Sequence, residues 1–67
     1  MSKVIVEFTL NGRKHTYYRR KSIFGEAITT TNKNSAKRVD ESDVKDIIKL
    51  LKKQYKENVD DIGVIPM

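Results

Sequence analysis

Val4, Val6, Phe8 and Leu10 alternate with Lys3, Ile5, Glu7 and Thr9. A period of two among residues that favour β structure predicts a strand over about residues 3–10, with one set of side chains on each face. Asn11-Gly12 comes next. Both central positions of a type I′ turn need positive φ, which this dipeptide tolerates, so the chain should double back into a second strand over about residues 14–24. A two-residue loop sets Leu10 opposite Arg13, Phe8 opposite His15 and Val6 opposite Tyr17. Tyr17 is then buried, while Lys14, Thr16, Tyr18 and Arg20 look outward. A bulge at Gly12 would shift the pairing by one residue and exchange the faces. Either register buries one tyrosine and displays the other among cations.

Gly25 interrupts this strand, and Glu26-Ala27-Ile28-Thr29-Thr30-Thr31 has the β-branched content of a third, over about residues 26–31. Asn32 to Arg38 is polar, basic and turn-rich, and reads as a loop. A helix is expected over about residues 41–58, with Asp40 as its N-cap and Glu41 and Asp43 near the positive end of its dipole. Val39 and Val44 have the spacing of a hydrophobic staple. Val44, Ile47, Ile48, Leu51 and Tyr55 recur at helical spacing as one apolar stripe. Asn58 is the expected stop. The tail over residues 59–67 holds Ile62-Gly63-Val64-Ile65, either a short strand or an apolar segment folded across the sheet.

These elements predict a single α+β domain. It is a small ββ(β)α unit in which an antiparallel hairpin or three-stranded sheet packs on one C-terminal amphipathic helix. In element order alone it is similar to sheet-first DNA-binding modules such as the arm-binding domains of phage integrases, and no motif carries the likeness further. The helix covers one sheet face. The other is expected to be polar or bound by a partner.

Composition narrows the sources of stability. A chain of 67 residues has a thin core. There is no cysteine and one histidine, His15, so disulfides, thiolate metal sites and paired-imidazole sites are excluded. No cofactor or metal is expected. Well-formed local structure or self-association remains, and a homodimer is one expected form. No stretch reaches the roughly 20 apolar residues of a membrane span. The first residues alternate instead of forming the apolar run of a signal peptide, so a cytoplasmic protein with no membrane partner is expected.

Charge is distributed unevenly. Residues 1–38 carry nine Lys/Arg against Glu7 and Glu26, net +7, and residues 39–67 carry five Lys against seven acids, net −2. A polyanion should therefore meet the first half. His15-Thr16-Tyr17-Tyr18-Arg19-Arg20-Lys21 interleaves cations with aromatics, which suits phosphate neutralisation and base stacking. The same composition also guards an edge strand against aggregation. Regular alternation would set Tyr18 and Arg20 on one face and Tyr17, Arg19 and Lys21 on the other. Lys45, Lys49, Lys52, Lys53 and Lys56 cluster on one helix flank, as a solvated face or a second contact for a polyanion. Lys33, Lys37 and Arg38 could clamp a phosphate backbone from the loop.

Catalytic signatures are missing: there is no Ser/His/Asp or Cys/His set and no phosphate-binding glycine loop. His15 is expected to meet Phe8 or Glu7, the latter as a surface contact. The sequence predicts a basic, non-enzymatic domain that binds nucleic acid, with DNA the first expectation, as a regulator or accessory factor. Its candidate contacts are Lys14, Tyr17, Tyr18, Arg19, Arg20, Lys21, Lys33, Lys37 and Arg38. The alternative is a protein–protein module: a small inhibitor, adaptor or assembly factor of the kind phages and mobile elements encode. That module would use the open sheet face, a strand edge or the Ile62–Ile65 tail.

Overall fold

Alternation in the first residues does produce a strand, β1, spanning Lys3–Leu10, in a computed structural model that describes residues 3–66. Met1, Ser2 and Met67 lie outside the described residues. β2 is Arg13–Lys21, β3 Ala27–Thr30 and β4 Val39–Asp40; helix α1 is Val44–Tyr55, and β5 is Val59–Pro66. Short 3-10 turns occupy Lys33–Ser35, Glu41–Asp43 and Lys56–Asn58. The result is an α+β fold, one antiparallel five-stranded sheet packed against one helix.

β1 is the axis of the sheet. The order is β3-β2-β1-β4, with β5 also paired to β1. Glu7 pairs with both Tyr17 and Gly63, and Val4 with both Val39 and Pro66. β5 therefore runs along one edge of β1, while β2 and then β4 divide the other. Lys37 N donates to Tyr18 O at 3.1 Å, so the segment leading into β4 enters where β1 and β2 part.

Asn11 (φ 53) and Gly12 (φ 80) form the expected tight turn, and Leu10 pairs with Arg13. The predicted pairing fails immediately afterwards. Phe8 lies opposite Thr16, not His15, because β2 carries an extra residue between Arg13 and Thr16. His15 absorbs the bulge at φ 60. Thr16 and Tyr18 consequently join the face of Val4, Val6 and Phe8, and Tyr17 joins Glu7 on the other face. A second bulge between Tyr18 and Arg20 sets Arg20 opposite Ile28 and Lys21 opposite Ala27. Tyr17 thus shares a face with Arg20, and Tyr18 with Lys21, which corrects the alternation expected from the sequence.

The second strand also stops earlier than predicted. Ser22 to Glu26 form a turn, and Ile23 and Phe24 belong to it.

The C-terminal half departs further. Asp40 is not a side-chain cap. It lies in β4 opposite Lys3, and its Oδ1 is 2.9 Å from Lys3 Nζ. That oxygen is buried without an aligned hydrogen-bond donor, so the contact is an ion pair only. Val39 is buried in the core, with Val44 packed against the same cluster. The predicted helix resolves into a 3-10 turn, α1 and a second 3-10 turn, with Lys56 at φ 54 ending α1 before Asn58. The tail becomes a full strand. A bulge with Asp61 at φ 50 lets Val59 and Ile62, three apart, both reach the helix side of the sheet.

Phe8, Leu51, Val4 and Val6 are the most deeply buried side chains of a core completed by Tyr18, Ala27, Val39, Ile47 and Val59. β3 is an outer strand, and α1 closes part of its free edge. Gln54 Oε1 accepts from Ala27 N at 2.6 Å, while Gln54 Nε2 donates to Ala27 O at 3.0 Å. The side-chain amide stands in for a neighbouring strand. The second sheet face is not bare either: Ile5 and Tyr17 are buried, and Ile5 shares a hollow with Lys33, Asn34, Ala36 and Arg38. The Asn32–Arg38 segment therefore covers part of it, contrary to the expectation that nothing in the chain could.

Gln54→Ala should cost about 1–3 kcal/mol, because it leaves Ala27 N without a partner and its carbonyl with only the 3.4 Å bond donated by the Tyr55 hydroxyl, and urea denaturation will measure it. Leu51→Ala should cost about 2–5 kcal/mol. A domain of this size has roughly 3–10 kcal/mol in total. That variant should therefore unfold at a markedly lower temperature than the parent by circular dichroism. Ending the chain after Asp61 should abolish cooperative unfolding, since it strips one edge of β1.

Candidate nucleic-acid interface

Cations far apart in the chain meet at one end of the molecule. β2 delivers Lys21 and the segment before β4 delivers Lys37 and Arg38. These three, with Lys3, line a surface hollow of about 270 Å³. Asp40, Asp43, Asp46, Ile47 and Leu50 line the same hollow. Asp43 and Asp46 at the start of α1 suit the positive end of its dipole, and the hollow is lined by charges of both signs. Arg38 also lines the second hollow, about 250 Å³, beside Lys33 and Ile5. One arginine thus connects the two basic groups.

The segment that carries Lys33, Lys37 and Arg38 is held by its own hydrogen bonds. Asn32 Oδ1 accepts from Asn34 N at 2.9 Å, and Asn32 O accepts from Ser35 N at 3.0 Å. Thr30 Oγ1 accepts from Asn32 N at 3.1 Å. An Asn cap followed by a 3-10 turn fixes the path of a stretch that its composition alone describes only as loop.

Arg19, Arg20, Lys21, Lys33, Lys37 and Arg38 are all exposed, and none forms an ion pair among the described residues. Lys14 is exposed but stands apart, at the far end of β2 beside Glu7, His15 and Asp61. His15 meets Glu7 as expected, Nδ1 to Oε2 at 3.2 Å. With the imidazole largely in solvent, this pair is worth well under about 1 kcal/mol. The helix lysines Lys45, Lys49, Lys52, Lys53 and Lys56 are all exposed.

The tyrosines do not behave as expected. Both Tyr17 and Tyr18 are 6 % exposed, so neither displays a ring for stacking. Tyr18 lies in the core beneath α1, and Tyr17 lies beside Glu7 on the other face. Burial raises the pKa of both phenols, and for Tyr17 the neighbouring Glu7 carboxylate adds to the rise.

Two features escaped the sequence reading. Lys3 belongs to the basic hollow, and only the β1–β4 pairing brings it there. Ile23 and Phe24 are 92 % and 82 % exposed in the β2–β3 turn. An apolar pair between Ser22 and Gly25, two turn-forming residues, was the available signal for the second.

Among the described residues no cluster of His, Cys, Asp and Glu could hold a metal ion, and no helix is long and apolar enough to cross a membrane. Compared with protein-family models, curated proteins and solved structures, the chain finds no match in any of the three. Its surface chemistry is what carries a functional reading.

A phenol whose pKa is raised by folding stays protonated in the native chain after the unfolded chain has ionised, so folding retains the extra proton and stability falls as pH rises. This contribution is complete below the ordinary tyrosine value of about 10 and is lost above it. Denaturant midpoints should therefore drop above about pH 10, and less steeply in Tyr17→Phe, as a urea series across alkaline pH will show.

Proposed function

We propose that this chain is a small, non-enzymatic nucleic-acid-binding domain, with duplex DNA as its first-choice ligand and a regulatory or accessory role. The observation that supports the reading is the convergence of Lys21, Lys37 and Arg38 on one hollow, with Arg38 continuing to Lys33. These cations form no ion pair among the described residues, and a phosphate backbone would neutralise them while releasing its own counterions. Arg19 and Arg20 directly precede Lys21 and extend the group along β2. Asp40, Asp43 and Asp46 line the same hollow, so phosphates would favour the cationic residues over the acidic ones.

Phosphate contacts of this kind position a domain but carry no base sequence. With both tyrosines buried, stacking by Tyr17 or Tyr18 is no part of this proposal. Lys14 belongs to a different end and contributes only to the general field.

One observation favours a second reading, a protein contact. Among the described residues β5 pairs only with β1, which leaves an outer edge of eight residues in which Val64 is 46 % exposed. Such an edge can accept a strand from another chain, including a second copy. Pro66 and the Asp61 bulge partly blunt it, and no charge complements a specific partner there, so it stands second.

The triple change Lys21→Ala/Lys37→Ala/Arg38→Ala should weaken duplex binding about 10–100-fold and lower the log–log salt slope by nearly 1 per cation removed. Lys14→Ala should change both far less. Fluorescence anisotropy at several salt concentrations will read this, and equal affinities for the triple variant and the parent would refute the interface.

A further inference from the structure

We propose that the Ile23–Phe24 turn is a wedge that enters a duplex from the minor groove, unstacks a base step and bends the DNA. This inference rests on the proposed nucleic-acid function and extends it from holding phosphates to deforming the duplex.

Two large apolar side chains at 92 % and 82 % exposure are the most exposed of their kind among the described residues. Their display is built into the turn. Ser22 Oγ accepts from Phe24 N at 3.2 Å and from Glu26 N at 3.1 Å. Ser22 N donates to Glu26 O at 2.7 Å, and Gly25 N to Ser22 O at 3.0 Å. Gly25, at φ 82, supplies the one conformation an ordinary side chain would resist. A turn closed by four hydrogen bonds holds Ile23 and Phe24 outward instead of letting them fold back over the core.

The base of this arm is anchored. Ala27, the first residue of β3, is 4 % exposed and is gripped on its N–H and carbonyl by Gln54 of α1. A load on the tip is therefore passed to the helix and the core.

Charge at the arm matches a groove. Arg20, opposite Ile28, and Lys21, opposite Ala27, are successive strand residues and so lie on opposite faces of the arm. A minor groove is flanked by two phosphate rows, and cations on both faces of an inserted ribbon reach both.

An anionic membrane surface would also accept cations beside apolar side chains. Two such side chains supply too little apolar area for stable anchoring, since even a single myristoyl chain binds membranes only marginally. A base step needs no more than one or two apolar side chains, and wedges of this type kink DNA by roughly 20–90°.

The test uses the full chain and a duplex of about 30 base pairs labelled at its ends with a donor–acceptor pair, a length on which a bend is measurable. The parent should raise energy transfer as it binds. Ile23→Ser/Phe24→Ser, which touches only exposed positions, should bind within about tenfold by anisotropy, since phosphate contacts supply most of the affinity, yet leave energy transfer unchanged. Binding by the parent without any rise, or an equal rise with the double variant, overturns the wedge and leaves the nucleic-acid reading standing. No duplex binding by the parent overturns that reading itself. Co-sedimentation of the parent with phosphatidylserine vesicles, lost in the double variant and without duplex binding, would assign the tip to a membrane.

Discussion

Strand β1 is hydrogen-bonded along both edges and has Val4, Val6 and Phe8 almost wholly out of water on one face. Everything else is arranged to satisfy it. A buried strand cannot leave backbone groups unpaired without a large penalty, so β5 must return along one edge and β2 with β4 must share the other. That sharing has a functional consequence. Because β2 leaves β1 early, the segment before β4 is drawn into the gap, and Lys37 and Arg38 arrive beside Lys21. The basic end is a product of how the central strand is paired.

Bulges do much of the remaining placement. Each of the three inserts one residue and exchanges the faces of the residues beyond it. The one at His15 buries Tyr18 and Thr16, and the one at Asp61 brings both Val59 and Ile62 to the core side. The one at Arg19 moves Arg20 to the face of Tyr17 and Lys21 to the face of Tyr18. A sheet of plain alternating strands would have set a tyrosine among the cations, as the bare sequence suggests. Here the rings of Tyr17 and Tyr18 go to packing, and the neighbouring cations are left at the surface.

The parts legible in the sequence were those set by local rules. Asn11-Gly12 fixed its turn through backbone sterics, and Val44, Ile47, Leu51 and Tyr55 fixed the helix face through periodicity. The α+β class and the exposure of the cations came from the same patterns. Register was not legible beyond Arg13, because His15 and Asp61 take positive φ without being glycine and nothing local marks them. Asp40 was read as a cap since its neighbours suit one, while its actual place is set by Lys3, far away in the chain. A short strand at Ile62–Ile65 is one of the two readings that the tail allows, but its extension to Val59–Pro66 and its pairing with β1 depend on an edge that no window around residues 59–66 contains. The Gln54 clamp was hidden for the same reason: a lone Gln on a helix says nothing of the β3 edge it closes.

The central claim is that the end bearing Lys21, Lys37 and Arg38 is where this domain meets DNA, and a nitrogen–proton NMR titration with a short duplex tests it most directly. Amide shifts should concentrate in residues 19–25 and 33–39, with Lys14 and the β5 edge nearly still. Shifts confined to β5, or spread evenly over the surface at low salt and gone at moderate salt, would contradict it.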